Sequence, residues 1–334
     1  MEAIALGKLI LSGEHAVVHG RPALVMAVNR YVKAGITPQN QRCVTVKFAK
    51  RNHQKVSTLS SLSSFKQKVD EKYKAFEKGH LLIRDVIEDP LDLILYTIAT
   101  ALEIWNVEPD KGFELQLRST IPLGCGMGSS AAAILATLKV LSSHFDVSVK
   151  ADKLYQLALE SEKIQHGRPS GVDPYISLHG GFVLFQKEKA IPLNISPMEL
   201  FLINTGIPDA TTGECVVTVS ERFKENKIWN EFEDVTLRLE KALHLNVQKD
   251  VRALIRKNHR LLCRIGVVPN KVAHVIDEIE AEGGAAKVCG AGSTQGDQAG
   301  IVMVMSDKPP DAICQKYKYT MMTVQGDARG TRIV

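Results

Sequence analysis

The sequence predicts an α+β fold made of two closely joined lobes, and three observations lead to this expectation. The chain of 334 residues reaches the length at which a single hydrophobic core stops growing. Its 45% hydrophobic and 24% charged residues are typical of an ordinary globular protein. Strand-like runs come first and helical runs follow, and the chain then returns to strands and helices in an order that favours an antiparallel sheet.

Local patterns predict the elements of the first lobe, residues 1–186. Short apolar or β-branched runs bounded by Gly, Pro and polar residues indicate strands, whereas apolar residues at helical spacing and Ala/Leu-rich runs indicate helices. The Ser- and Lys-rich segment 49–78 is interpreted as a surface insertion with a short helix near 65–76. The predicted strands are 6–11, 23–28, 32–37, 44–48, 113–117 and 182–185, and the other predicted helices are 90–105, 131–141 and 151–164.

The second lobe, residues 187–334, is predicted to contain an antiparallel sheet covered by helices. Near its end, strand, loop, strand, helix and strand follow one another, which is typical of an α+β unit. The predicted strands are 201–204, 285–288, 301–305 and 320–324, and the predicted helices are 228–245, 251–265, 271–282 and 311–318.

Composition and charge exclude several classes of function. The net charge of +5, from 42 basic and 37 acidic residues, is too weak for a nucleic-acid-binding protein, since no basic stretch is interleaved with aromatics. It suits a protein with small anionic ligands. Apolar runs carry charges and are too short for a membrane span, and the N-terminus does not resemble a secretory signal. The six cysteines are at least 25 residues apart, which favours free thiols in a reducing compartment.

A glycine-rich segment at 124–132 is the most informative part of the sequence. It reads Gly-Cys-Gly-Met-Gly-Ser-Ser-Ala-Ala, and the helix predicted at 131–141 follows directly. Alternate glycines allow positive φ and close approach to a ligand, and the unpaired N–H groups at a helix start attract an anion. A tight turn capped by Ser129 is the simpler interpretation. Three glycines exceed what a cap needs, so phosphate binding is favoured, although the Walker A and dinucleotide-binding spacings are absent.

A polar Gly-Glu-His triplet interrupts the first strand-like run. From Lys8 to Gly20 the chain reads Lys-Leu-Ile-Leu-Ser-Gly-Glu-His-Ala-Val-Val-His-Gly. His15 and His19, four residues apart and preceded by Glu14, would suit zinc if they lay on a helix. β-Branched residues and flanking glycines argue against a helix here. Zinc is therefore disfavoured, and His19 is interpreted as a surface or turn histidine.

Two further clusters contain candidate site residues. Glu162 ends a predicted helix, and Asp173 follows the turn His-Gly-Arg-Pro-Ser-Gly. Either carboxylate alone would more often be solvent-exposed than catalytic, but two of them flanking this turn indicate a site. The fourth cluster, 287–296, reads Lys-Val-Cys-Gly-Ala-Gly-Ser-Thr-Gln-Gly. Taken alone it is a weak signal, because such turns between strands are usually structural.

Together the four clusters resemble the GHMP kinase superfamily, and within it the mevalonate kinases. Residues 8–20, 122–132 and 290–296 are similar to the three superfamily motifs, in the same order. The mevalonate branch is indicated by the Glu-His pair with Ala-Val-Val-His-Gly, by residues 166–173, and by Asn-Thr-Gly-Ile-Pro at 204–208. The resemblance covers nearly the whole chain. It implies a two-lobed GHMP kinase fold, with a ribosomal-protein-S5-domain-2-like N-terminal lobe and a ferredoxin-like α+β C-terminal lobe.

The resemblance also implies an activity and a role for individual residues. The reaction would be ATP- and Mg²⁺-dependent phosphorylation of the 5-hydroxyl of (R)-mevalonate, in isoprenoid and sterol precursor synthesis. Asp173 would take the proton from the substrate hydroxyl, and Lys8 would hold Asp173 ionised and stabilise charge on the reacting oxygens. Glu162 and Ser130 would hold Mg²⁺. The residues implied to bind ATP are Ser119, Gly124, Gly126, Met127, Gly128, Ser129 and Ser130. The residues implied to bind mevalonate are Glu14, His15, Ser170, Gly171, Thr211, Gly290, Ala291 and Gly292.

The sequence departs from the family pattern at three places. Leu6 stands where relatives usually have Pro, a change expected to alter loop stiffness and not the chemistry. The third motif continues as Ser-Thr-Gln-Gly-Asp at 293–297 instead of with more glycines, so the closure of this loop on substrate is left open. Arg168 stands where many relatives have Asn.

Other functions and locations stay open as alternatives. Within the superfamily, the alternative is phosphomevalonate kinase or another small-alcohol kinase. A non-catalytic regulator that binds nucleotide or sugar is disfavoured because the implied base, lysine and metal ligands are all present, and a zinc hydrolase is disfavoured for the reason given above. Cytoplasm is expected, although residues 8–9 and 15–16 fit a type-2 peroxisomal address, which leaves a peroxisome-type organelle as the alternative. The resemblance is compatible with a homodimer.

Overall fold

The computed structural model describes residues 1–49, 53–122, 124–167, 169–187 and 189–334, which form two β-sheets with helices packed against them. The strands are β1 (Glu2–Ser12), β2 (Ala23–Pro38), β3 (Cys43–Phe48), β4 (His53–Thr58), β5 (Phe113–Ser119), β6 (Phe182–Gln186), β7 (Lys189–Leu193), β8 (Glu199–Asn204), β9 (Ala285–Cys289), β10 (Ile301–Met305), β11 (Thr320–Gln325) and β12 (Arg332–Ile333). The α-helices are α1 (Leu59–Glu77), α2 (Pro90–Ile104), α3 (Ser129–His144), α4 (Ala151–His166), α5 (Val172–His179), α6 (Thr212–Arg222), α7 (Ile228–His244), α8 (Gln248–Arg264), α9 (Asn270–Ala281) and α10 (Asp311–Tyr317).

The first sheet has the strand order β12-β1-β2-β5-β3-β4, with β6 paired to the first part of β2 and β7 paired to β6. Its strands are antiparallel except for the parallel pair β3 and β5. β2 is a single strand where the sequence predicts two. The register between β1 and β2 shifts between Leu6 and Gly7, so that Asn29 and Arg30 are accommodated as a bulge and do not end the strand.

The Ser- and Lys-rich segment lies largely at the surface, as predicted, but it is also an integral part of the fold. Residues 50–52 lie outside the described residues, but β4 pairs with β3 and extends the sheet. The Thr58 hydroxyl accepts a hydrogen bond from Ser61 N and caps α1, which is longer than the predicted 65–76. α1 buries Leu62, Val69 and Tyr73, although most of its other positions are polar.

The helices of the first lobe position the candidate site. α2 begins at a capping box formed by Asp89 and Asp92, with Pro90 as its first residue, and it is buried over most of its length against α1, α3 and α4. α3 crosses β1 and β2. The Ala-rich start of α3 allows this close approach, because small side chains keep the helix near the sheet. α5, which the sequence did not predict, follows Gly171 and packs on β1 and α3.

The second sheet has the order β11-β8-β10-β9 and is antiparallel throughout, which confirms the predicted antiparallel sheet. One of its faces packs against α9 and α10. α7 and α8 pack against each other, and they reach β9 of the second sheet and β1 of the first. This helix pair therefore joins the two sheets.

Two strands after residue 186 belong to the first sheet. β7 forms a hairpin with β6, and β12 pairs with β1, so Ala3 lies opposite Ile333. The division of the chain at 186/187 stays a prediction. Within the described ranges, every helix is too short or too polar to cross a bilayer.

Candidate active site

The glycine-rich segment forms the connection between β5 and α3. Gly124, Gly126 and Gly128 have φ values of 71°, 77° and 70°, in the left-handed region that favours glycine. The N-cap of α3 is Gly128, and Ser129 is the first residue of the helix, so the interpretation of Ser129 as the cap is wrong. Because a glycine cap supplies no side chain, the first N–H groups of α3 are left available to an anion.

Lys8 and Asp173 form an ion pair beside this loop, with Lys8 Nζ 3.2 Å from Asp173 Oδ1. Lys8 lies on β1 and is nearly buried, whereas Asp173, in the first turn of α5, keeps 31% of its side chain exposed. The backbone N–H of Lys8 donates to Met127 O at 3.0 Å. A Cβ at Gly128 would lie 3.1 Å from Lys8 Cγ and 3.3 Å from Asp173 Oδ2. The start of α3 therefore approaches the ion pair closely because residue 128 is glycine.

Ser130 and Glu162 meet at the first turn of α3, near the Lys8–Asp173 ion pair. The Ser130 hydroxyl donates to Glu162 Oε1 at 3.3 Å and lies 3.2 Å from His166 Nε2. Glu162 is buried on α4. Burial, together with the nearby Asp173 carboxylate, raises the pKa of the Glu162 carboxyl well above its ordinary value. Two carboxylates near one hydroxyl are hard-oxygen donors that a divalent cation would stabilise.

Glu14 forms a buried ion pair across the two sheets. Its carboxylate meets the ammonium group of Lys287, which lies on β9. The Lys287 side chain is 0% exposed and that of Glu14 is 1% exposed. Lys287 Nζ also donates to Ile10 O on β1 at 3.0 Å. Burial raises the pKa of Glu14, and the positive charge of Lys287 opposes this increase.

His15 also bonds across the two sheets. Its Nε2 lies 3.0 Å from Ala291 O in the loop after β9. Because a carbonyl oxygen can only accept, Nε2 must carry the hydrogen, and Nδ1 is then an acceptor. Burial lowers the pKa of His15 to about 4, so the ring is neutral at neutral pH. His15 therefore contributes polarity to the site without positive charge.

The two glycine loops touch each other. A Cβ at Gly290 would lie 3.4 Å from Gly126 Cα, so the loop after β9 rests on the loop before α3. Gly292 packs on the Val267 carbonyl, where any Cβ would clash at 2.2 Å. The loop 290–292 is thus held between the first lobe and the end of α8.

The remaining predicted site residues are engaged in local structure. The Ser119 hydroxyl donates to Ile121 O at 2.9 Å at the end of β5. Exposed Ser170 accepts a 3.4 Å hydrogen bond from Val172 N, and Gly171 is the N-cap of α5. Thr211 caps α6 in a reciprocal box with Glu214. The contact of Arg168 lies outside the described residues.

His15 and His19 have different partners. His19 lies in a short 3-10 helix at Ala16–His19 and stacks on Trp229, with ring centroids 4.1 Å apart. Within the described ranges, no group of three or more His, Cys, Asp or Glu residues is arranged to hold a metal ion. His19 therefore has a packing role between the first lobe and α7.

Sequence reasoning missed the contributions of His166 and Lys287. His166 belongs to the quoted turn motif, and its position four residues after Glu162 places it on the same helix face. That spacing was an available signal. The partner of Lys287 is 273 positions away in the chain, so no local signal pointed to it.

Comparison with known proteins gives a consistent result. Residues 92–181 match the family model for the GHMP kinases N terminal domain. A mevalonate kinase from Archaeoglobus fulgidus is 32% identical over 297 residues, covering 87% of this chain and 89% of that protein. A mevalonate kinase from Pyrococcus horikoshii is 30% identical over 305 residues, covering 87% of this chain and 85% of that protein.

The fold is also similar to solved structures. The crystal structure of the mevalonate kinase from Methanococcus jannaschii aligns with a TM-score of 0.84 at 22% identity, covering 98% of each chain. This similarity, with the family model, confirms the predicted GHMP kinase fold.

Proposed function

We propose that this chain, which belongs to the mevalonate kinase family, transfers the γ-phosphoryl group of ATP to the 5-hydroxyl of (R)-mevalonate. The products would be 5-phosphomevalonate and ADP, on the route to isoprenoid and sterol precursors. The observation that carries the proposal is the Lys8–Asp173 ion pair beside the start of α3, with glycine at residue 128. The partly exposed Asp173 carboxylate lies beside the Lys8 ammonium and the helix start that is suited to an anion. This arrangement suits phosphoryl transfer to an alcohol, which depends mainly on positioning and charge stabilisation.

In the proposed reaction, Asp173 acts as the general base. Its carboxylate accepts the proton of the 5-hydroxyl as that oxygen bonds to the γ-phosphorus. The bond from phosphorus to the bridging oxygen breaks, and ADP leaves with the electron pair. The Lys8 ammonium, 3.2 Å from Asp173, balances the charge of the base and of the reacting oxygens.

The loop 124–130 is proposed to bind the ATP phosphates. Its glycines hold the chain in the left-handed conformation, and the amides at the start of α3 are available to donate to an anion. Gly128 lies against both Lys8 and Asp173, so phosphates bound at this loop would be next to the base.

Mg²⁺ fits the donor set of Ser130 and Glu162. Glu162 is buried beside a second carboxylate, an arrangement that a divalent cation would compensate. We assign the Glu162 carboxylate and the Ser130 hydroxyl as its protein ligands, since Mg²⁺ keeps several waters and binds through few side chains. When bound, the ion supplies neutralisation of phosphate charge. The Ser130 hydroxyl is oriented by Glu162 and His166.

Mevalonate is proposed to bind against the Glu14–His15 turn and the loop 290–292. These two segments come from different lobes and are joined by the hydrogen bond from His15 to Ala291. Ser170, Gly171 and Thr211 are proposed to complete the pocket.

The test is ATP turnover by the purified protein with (R)-mevalonate, 5-phosphomevalonate, galactose and homoserine as acceptors. We expect turnover with mevalonate and identification of 5-phosphomevalonate by mass spectrometry. Turnover with 5-phosphomevalonate instead would support the alternative small-alcohol kinase. No turnover with mevalonate would refute the proposal.

A Glu162→Gln variant tests the proposed metal site. The Mg²⁺ concentration for half-maximal activity, and the affinity for Mn²⁺ measured by electron paramagnetic resonance, should weaken by about 10–100-fold. Glu160→Gln is the matched control, because Glu160 lies on the same helix and pairs with Lys163 at the surface. If metal affinity were unchanged and the KM for mevalonate rose, Glu162 would belong to the substrate pocket.

A further inference from the structure

Lys287 is the fully buried lysine of β9, and it is not among the residues proposed above to contact ATP, Mg²⁺ or mevalonate. It lies in the middle of the strand, opposite Met303 of β10, where an apolar side chain would be expected. A lysine is rarely buried without a partner, because removing its charge from water is costly. Its partner, Glu14, belongs to the turn after β1 in the other lobe.

Lys287 is at the centre of a row of contacts between the two lobes. Its ammonium donates to Ile10 O at 3.0 Å, and the Cys289 thiol approaches the same carbonyl at 3.6 Å. Further along the chain, Ala291 O accepts from His15, and Gly290 rests on Gly126. β9 and the loop after it are therefore fixed to the first lobe at several successive points.

The buried ion pair does not contribute to this arrangement through stability alone. Replacing such a pair by well-packed apolar residues is often neutral or stabilising. The two lobes could therefore be held together equally well without it. What the pair adds is a defined geometry, since an ammonium and a carboxylate must meet at one place and no other. That place is the turn that contains Glu14 and His15.

Resting on the proposed function, we infer that Lys287 is a positioning residue for mevalonate. Through Glu14 it holds the Glu14–His15 turn against the loop 290–292, in the position that the substrate requires. Lys287 itself does not touch the reacting atoms.

The second oxygen of Glu14 has no hydrogen-bond partner among the described residues. The ion pair with Lys287 therefore holds this carboxylate in place.

The test is a double-mutant cycle with Lys287→Met and Glu14→Gln, measured by KM for mevalonate, KM for ATP and kcat. Lys287→Met should raise the KM for mevalonate by about tenfold or more, because a misplacement of about 1 Å can cost about 100-fold. The KM for ATP should change by less than about threefold, as its loop is assembled within the first lobe. In the Glu14→Gln background, Lys287→Met should change the KM for mevalonate by less than about twofold, since coupled residues are non-additive.

If Lys287→Met does not fold, the double variant, which buries neither charge of the pair, is compared with the wild type. It should show the raised KM for mevalonate with a KM for ATP within about threefold of the wild type, and an unchanged KM for mevalonate would overturn the inference. An equal factor in both backgrounds, or an equal rise in KM for both substrates, would overturn the inference. Lys316→Met is the matched control, since Lys316 pairs with Glu278 on the surface of the same lobe.

The wild-type protein separates this inference from the proposed function. If it phosphorylates mevalonate and the cycle shows no coupling, only the role of Lys287 is wrong. If it does not phosphorylate mevalonate, the proposed function fails and the inference fails with it.

Discussion

Two groups of residues meet near the end of β1, and they are built in different ways. The reaction group, defined as Lys8, Ser130, Glu162 and Asp173, comes entirely from strands and helices of the first lobe. The inter-lobe group, defined as Glu14, His15, Lys287 and Ala291, joins a turn of the first lobe to β9 and the loop after it. Asp173 keeps 31% of its side chain exposed, whereas Lys287 is 0% and Glu14 is 1% exposed.

The difference in burial follows from what each group must do. A base that takes a proton from a ligand has to be reachable, so its charge stays partly in water at little desolvation cost. A charge that only fixes geometry can be fully buried, provided that its partner is in place. Substitutions in the reaction group should therefore lower kcat. Substitutions of fully buried polar groups should instead alter the geometry of the substrate site, measured as KM, or the stability of the protein in acid.

The largest expected effect is that of Asp173→Asn in the reaction group. The amide keeps the shape of the side chain but removes the charge and the proton acceptor. We expect kcat to fall by about 10²–10⁴-fold, while the unfolding midpoint and ATP affinity stay close to those of the wild type. Steady-state kinetics and thermal unfolding measure this.

Asp152→Asn, at an exposed position on α4, is the control for Asp173→Asn. A variant at Asp173 that retains more than about half of kcat would show that this carboxylate is not the base, since base removal costs far more. The two groups would then not differ in the way described above.

The second prediction concerns the stability that the folded protein loses in acid because it contains buried, neutral histidines. His259 on α8 is 1% exposed, and burial lowers its pKa to about 4, as it does for His15. Below about pH 6.5 the unfolded chain binds a proton that the folded protein does not, so stability falls as the pH decreases from about 6.5 to about 4. Each imidazole should cost up to about 3 kcal/mol over that range.

Urea unfolding at pH 7 and pH 4.5 tests this prediction with His259→Gln. The variant should lose about 2–3 kcal/mol less stability than the wild type between the two pH values. His274→Gln, an exposed position on α9, should lose as much as the wild type. Equal losses in all three proteins would mean that His259 is protonated in the folded state.

The fold was predictable where the sequence pattern is local. The helix after the glycine loop was predicted from its Ala-rich run, and α3 extends the predicted 131–141 by two residues at its start and three at its end. α6 was missed because its β-branched residues disfavour a helix. The capping box of Thr211 and Glu214 and the burial of Cys215 stabilise it instead.

The candidate site was predictable only in part. Glycine alternation indicated an anion-binding turn, and the structure gives that turn the required positive φ. The meeting of Lys8 with Asp173, 165 positions later, was expected from family resemblance and not from any local pattern. Nothing in a five-residue strand indicates that Lys287 points into the protein, because alternation of side chains assumes one polar face, and β9 is buried on both.

The smallest expected effect, and the finest comparison, lies within the glycine loop itself. Gly124 and Gly126 have similar positive φ values, so Val at either position would be strained by about 1–3 kcal/mol. Their surroundings differ. A Cβ at Gly124 would lie 3.7 Å from the Ile207 side chain, whereas a Cβ at Gly126 would lie 3.4 Å from the backbone oxygen of Cys289 and 3.5 Å from Gly290 Cα.

Gly124→Val should therefore raise the Kd for ATP by about tenfold and leave the Kd for mevalonate within about twofold of the wild type, because its strain stays in the phosphate loop. Gly126→Val should raise both, since the methyl groups of Val project beyond Cβ into the loop 290–292, which is fixed from behind by Gly292 on Val267. Calorimetric titration of each folded variant with ATP and with mevalonate separates the two cases. If Gly126→Val weakened the binding of ATP alone, the loop 290–292 would move to accommodate the added side chain. The contact between the two lobes would then not be rigid. If Gly124→Val weakened mevalonate alone, the phosphate and mevalonate sites would have to be exchanged.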